Sequence, residues 1–234
     1  MTEWQMKRFW TETAVVEEAG KFGIVLDGRP VRTPGKTPLL MPTRALAEAA
    51  CEEWDAQIDI IDPLSMPVTR AANTAIDKTS VQFEDVAAHL TEYGETDLLC
   101  YRAEGPEGLV QRQADAWDPL LDWAEAALGA RLVTGVGVMH IAQDPDAVAR
   151  LGAQVRVLDP FRLTAFSELV TISGSLVLGF AVTEGARSPD DAFDISRIDE
   201  RWQIDQWGED EEATRQSEAR RRAFLDAARI FKLT

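Results

Sequence analysis

Two histidines, two cysteines and 40 carboxylates are the groups in this 234-residue chain that could move protons, hold a metal or attack a substrate. His89 and His140 lie 51 residues apart, and neither has a cysteine or second histidine at metal-ligand spacing. Each reads more simply as a hydrogen-bonded or surface imidazole. Cys51 and Cys100 form no CxxC pair, which excludes a zinc ribbon or a disulfide framework, and as free thiols they fit a reducing compartment. The chain contains no GxxxxGK(S/T) phosphate loop, no HExxH and no GxSxG nucleophile elbow. Gly135-Val-Gly137 begins a dinucleotide fingerprint, but His140 stands where the third glycine belongs, so the pair reads as a turn or a close packing point. Carboxylates near Glu95, Asp97 or Glu200 could do acid–base work on a small molecule if buried together. With so many acids in the chain, the simpler reading is a solvated face. No catalytic residue, metal ligand or cofactor is predicted.

The most unusual stretch runs from Asp199 to Glu212. On one continuous helix, Glu200, Ile204, Trp207 and Glu211 fall on a single face that mixes aromatic and acidic groups. Read as packing, Trp202 and Trp207 are core anchors and the acids form a negative helix start. Read as function, the stripe is a docking face. Its apolar surface would supply affinity, and Glu200 or Glu211 would swing toward an Arg or Lys of a partner. The predicted partner-binding residues are Glu200, Trp202, Gln203, Trp207 and Glu211.

The elements that must position these residues divide near residue 80. Residues 1–80 hold 12 acids against 9 bases, while the remainder holds 28 against 15. Gly28, Pro30, Pro34, Gly35, Pro38 and Pro42 also crowd the first part. Phe22, Ile24 and Leu26 alternate and run into Asp27-Gly28, a hairpin cue because a type I′ turn needs positive φ at both central positions. Val31 and Thr33 would return on the next strand, and Thr43 would cap a helix through Trp54. The prolines from Pro63 to Pro67 would stop any regular element. Beyond residue 80 the spacing is helical. Thr79-x-x-Gln82 resembles a capping box, Asp118-Pro119 suggests a kink or restart, and Gly129 suits a helix C-terminus. Phe161–Val182 reads as a buried helix or helix pair, Pro189–Trp207 as one long amphipathic stretch, and a last helix follows Gly208. These patterns predict an α+β protein: a β-containing module over 1–80, then a mainly helical domain over 81–234.

Composition narrows the function classes. The net charge of −16 argues against a nucleic-acid backbone or an anionic membrane as partner. The longest uncharged run, Leu169 to Thr183, is 15 residues and falls short of the ~20 needed to span a bilayer. The opening MTEWQMKRFW lacks the apolar core of a signal peptide, so a soluble, cytoplasmic protein is expected.

Several motifs carry a family resemblance across nearly the whole chain. They are Arg8-Phe-Trp10, Leu26-Asp-Gly-Arg-Pro30-Val-x-Thr33-Pro34, Glu53-Trp54 and Met66-Pro-x-Thr69-Arg70-x-x-Asn73-Thr74-x-Ile-Asp77. Further on come Glu95-Thr-Asp97-Leu-Leu-Cys100-Tyr-Arg102, Trp117-Asp-Pro-Leu-Leu-Asp-Trp123, Ser173-Gly-Ser-Leu176 and Asp199-Glu-x-Trp202-Gln203-x-x-Gln206-Trp207-Gly208-Glu-Asp-Glu211. In this order they resemble the α-proteobacterial members of the F1-ATPase assembly chaperones called ATP synthase assembly factor 2. The resemblance implies a two-module binding protein rather than an enzyme. It implies that the chain holds an unassembled F1 α subunit until the β subunit takes its place. A monomer is expected, in the bacterial counterpart of the mitochondrial matrix.

Overall fold

A computed structural model describes residues 7–234, which fold into two compact units. The first takes residues up to Phe83 together with Pro160–Ala165 and Arg229–Thr234; the second takes Glu84–Asp159 and Phe166–Ala228. The fold is α+β.

The first unit is built on β1 (Thr13–Glu18) and β2 (Lys21–Leu26), antiparallel with Thr13 opposite Leu26. Asp27 (φ 46°) and Gly28 (φ 76°) turn the chain into β3 (Arg29–Pro30), so the predicted hairpin is present. β4 (Leu40–Met41) pairs with the other end of β2. Ile24, Leu26, Leu39 and Met41 are buried with Leu46, Ala47 and Ala50 of α1 (Arg44–Asp55). Thr43 caps that helix by accepting from the Leu46 N–H.

Family-motif residues in this unit hold backbone ends. Glu53 accepts from the N–H groups of Val68 and Thr69 at 2.6 and 2.8 Å, which caps α2 (Pro67–Thr74), a helix with no side-chain cap of its own. Pro67 therefore begins a helix instead of preventing one, as its missing N–H allows at the first helical position. Burial raises the Glu53 pKa, and the two N–H bonds oppose that rise. Asp77 accepts from Thr33 Oγ1 and from the Gly35 N–H, both at 2.7 Å. A Cβ at residue 35 would lie 2.7 Å from that carboxylate, so a larger residue there would push Asp77 away from its two donors. Arg8 reaches the carbonyls of Trp10, Asp55 and Gln57, while the Trp10 and Trp54 rings meet edge-on at 5.2 Å. Thr79 does not cap the following helix. It closes a π-helical turn (Ala75–Thr79), is buried, and hydrogen-bonds Thr164 at 2.7 Å.

The second unit is mainly helical. Its elements are α3 (Phe83–Glu92), α4 (Glu107–Leu128), α5 (Pro145–Arg156), α6 (Pro160–Ser173), α7 (Leu176–Thr183), α8 (Pro189–Ile195), α9 (Ile198–Trp207) and α10 (Glu211–Leu233). Phe83, the start of α6 and the end of α10 belong to the first unit. β5 (Tyr101–Arg102) and β6 (Gly135–Val136) form a short parallel pair. α4 continues through Pro119, which is exposed, so the carbonyl left without its donor faces water. Gly129 ends α4 at φ 65°, as expected. Gly174 (φ 73°) divides the apolar stretch into α6 and α7, and Ser196-Arg197 divides the amphipathic stretch into α8 and α9.

Asp97 joins two of the motifs. Fully buried, it accepts from the Leu99 N–H at 3.0 Å and from the Val177 N–H at 3.1 Å, so one carboxylate caps both its own turn and α7. Ser175 completes the α7 cap by accepting from Leu178. Burial pushes the Asp97 pKa up to about 6, against the pull of those N–H groups. The folded chain therefore holds this proton to a higher pH than the unfolded chain does. Its contribution to stability falls as pH rises from about 4 to about 6 and is constant above that. We predict that the stability difference between the parent and Asp97→Asn shifts in the variant's favour across this window, by on the order of 3 kcal/mol. Urea unfolding at a series of pH values measures it, and a pH-independent difference would refute the assignment.

Candidate functional site

The helix α9 has two faces with different duties. Asp199, Trp202 and Asp205 face α4. Asp199 accepts from the buried Gln113 at 2.7 Å, and Arg112 lies 4.7 Å over the Trp202 ring while pairing with Asp205 at 2.7 Å. A Cβ at Gly108 would come within 2.8 Å of the Trp202 ring, so the indole and the glycine fit one another. Trp202 is half-buried, an anchor of α9 on α4 but not a member of the deep core. Gln113 belongs to no motif in the sequence, yet it is 1% exposed and bridges Asp199 to the Ala103 N–H.

The opposite face carries Glu200, Gln203, Ile204 and Trp207 toward α10. With Thr214 and Arg220 they border a groove of about 370 Å³, open to solvent. A second cavity of about 640 Å³ shares Arg197, Glu200, Gln203 and Arg220, and reaches Leu98 and Gly174. Three family motifs thus converge on one wall. Arg197 organises it: its guanidinium donates to Glu200 at 2.7 Å and to the Ile172 carbonyl, and lies 5.5 Å from the Phe193 ring. Trp207 is 80% exposed and Ile204 39%, so of the two readings of Trp207 the core anchor does not hold, and the indole is the largest apolar side chain lining the groove.

The single acidic stripe is interrupted. α9 ends at Trp207, Gly208 takes φ 88°, and Asp210 caps α10 by accepting from the Ala213 N–H. Glu211 therefore begins a different helix. Its side chain is 95% exposed, 3.7 Å from Arg215. The structure brings Glu200, Gln203 and Trp207 together, places Trp202 behind them, and leaves Glu211 outside the groove lining.

The carboxylates considered for acid–base work are separated in role. Asp97 is a buried cap, Glu200 pairs with Arg197, and Glu95 borders another cavity of about 340 Å³ beside His140. His89 stands exposed against Glu92. Burial pushes the Cys100 thiol up to about 12, which keeps it protonated and unreactive. Gly135 is a close packing point, since a Cβ there would run into the Ile141 side chain. Among the described residues, no group of three His, Cys, Asp or Glu could hold a metal ion.

An exposed indole beside paired charges in an open groove has the composition of a protein-recognition surface. Comparison with known proteins gives the family. The model of the ATP12 chaperone protein family matches residues 7–125, and the chain belongs to this family. It is similar to the mitochondrial protein atp12 of Schizosaccharomyces pombe, 27% identical over 219 residues that cover 88% of this chain and 75% of that one. Among solved structures, Atp12 from Paracoccus denitrificans is 50% identical with a TM-score of 0.95, covering 97% of this chain and 98% of that one. The Atu1473 protein of Agrobacterium tumefaciens is 42% identical with a TM-score of 0.91, covering 96% and 86%.

The two tryptophans of α9 should respond differently to truncation. Trp207→Ala is expected to leave stability within about ±0.5 kcal/mol, as for an exposed site. Trp202→Ala should lose about 1–3 kcal/mol through its packing and the Arg112 contact, less than a fully buried tryptophan. Thermal melting of both variants measures the difference, and equal losses would contradict the two-faced helix.

Proposed function

We propose that this chain is an assembly chaperone for the F1 sector of ATP synthase, one that binds the unassembled α subunit until β replaces it. The family membership supports a chaperone role, and the observation that carries the binding reading is Trp207, 80% exposed over the groove of α9 and α10. An unassembled subunit exposes apolar surface that its neighbour will later cover, and such surface drives aggregation. A chaperone that binds this surface lowers the free concentration of the aggregating species by mass action and needs no catalytic step.

On this reading Glu200, Gln203 and Trp207 contact the client, Trp202 holds α9 in place, and Glu211 lies at the rim. The partner is a protein, with neither nucleic acid nor membrane involved, and the chaperone acts as a monomer in the bacterial cytoplasm. Among the described residues, no helix is long and apolar enough to cross a membrane.

The test is light scattering of isolated F1 α subunit with increasing amounts of the purified chain. Protection should saturate near one chaperone per α subunit, without nucleotide or other cofactor. Trp207→Ala should need several-fold more protein for the same protection while melting like the parent. Failure of the parent chain to protect or bind α at micromolar concentration would overturn the proposal.

A further inference from the structure

The charges around the groove differ in how far their hydrogen-bonding capacity is used. Glu200 accepts from Arg197, Asp199 from Gln113, and Asp210 caps α10. Arg197 donates to Glu200 and to the Ile172 carbonyl. Arg220 lines both cavities, and among the described residues neither a hydrogen bond nor an ion pair engages it. The neighbouring Arg221, one helical step of about 100° further round α10, is held by Asp190 and Asp194 of α8. In a chain of net charge −16, the charged group of the groove that the described residues leave without a partner is thus a cation.

We infer that Arg220 receives a carboxylate of the client, so that the bound segment pairs an apolar side chain, seated against Trp207 and Ile204, with a nearby Asp or Glu. This inference rests on the chaperone reading of the same groove and adds the sign of the client's charge. A guanidinium presents five N–H donors in a fork that matches a carboxylate bidentately, which is the strongest use of an unengaged arginine. Gln203, which also lines both cavities, adds an amide that can donate beside it. Glu200 already spends one carboxylate oxygen on Arg197, so part of its charge is balanced before a client arrives and Arg220 is the unbalanced charge of the groove. The acidic residues Glu209 and Glu212 at the rim are exposed and would repel a segment carrying several carboxylates, so they favour a client with an isolated one.

The experiment measures binding of isolated F1 α subunit to the full-length chain and to Arg220→Gln, Arg220→Lys and Arg222→Gln, at two salt concentrations. All variants are first checked for parental melting. Arg220→Gln should weaken binding at least tenfold, Arg220→Lys should recover part of the loss, and Arg222→Gln should bind as the parent does. Tighter binding by Arg220→Gln would mean that the client presents a cation to the acidic rim, and would overturn the inference. Binding within twofold of the parent, or equal losses in Arg220→Gln and Arg222→Gln, would overturn it as well. Absence of binding by the parent chain would instead refute the chaperone reading itself.

Discussion

Asp97 is the interaction on which the second unit depends most. It places a full carboxylate where no water reaches, and the only acceptable reason is that two helix starts need an acceptor there. Because the carboxylate bonds the N–H groups of both Leu99 and Val177, the turn over residues 97–100 and the start of α7 are set by one side chain. The Leu98 N–H to Gly174 carbonyl bond ties the same two segments a second time. The wall of the larger cavity is built from this joint, since Leu98 and Gly174 both line it. A small rearrangement at Asp97 would be felt at that cavity, which shares Arg197, Glu200, Gln203 and Arg220 with the groove.

The first unit uses the same device. Glu53 caps α2 from α1, Asp77 holds the 33–35 turn, and Arg8 gathers three carbonyls. In each case a charged side chain satisfies backbone groups that a short element leaves open. Much of the family signature is therefore explained by architecture. Short helices joined by tight turns expose many unsatisfied termini, and polar side chains from neighbouring elements answer them. What architecture leaves unexplained is concentrated on α9 and α10, where the described residues give Trp207, Gln203 and Arg220 no structural partner sufficient to account for them.

The groove is suited to reversible binding. An exposed indole can bury apolar area without reorganising the protein, and Glu200, already paired with Arg197, loses little freedom when a client arrives. A chaperone must release its client to the final partner, so modest contact area is an advantage. The acidic rim adds discrimination more than affinity, because charges at a solvated edge act mainly on encounter and specificity.

Local signals in the sequence determined the elements governed by local physics. Asp27-Gly28 specifies the hairpin because positive φ is a property of those two residues, and Thr43 and Gly129 mark helix ends because capping spans only a few positions. The exclusion of metal, nucleotide and nucleophile motifs also rests on residue types and spacing alone, and the family motifs point to the chaperone class. Gly208 marks the last helix boundary in the sequence as it does in the structure, whereas the break at Ser196-Arg197 is hidden and the one at Gly174 is left open as a helix or helix pair, because helical periodicity continues across a break when both sides face the same core. Thr79 has the local pattern of a cap, but its hydroxyl finds Thr164, 85 residues away, a partner no local pattern contains. Trp202 and Trp207 share a residue type and a helix, and only the tertiary structure places one against Gly108 and the other in solvent. The same holds for Arg220 and Arg221: adjacent in sequence, they diverge because the helix turns one toward the groove and the other toward α8. Which charges are engaged and which are left for a partner is a property of packing between distant segments, and composition cannot express it.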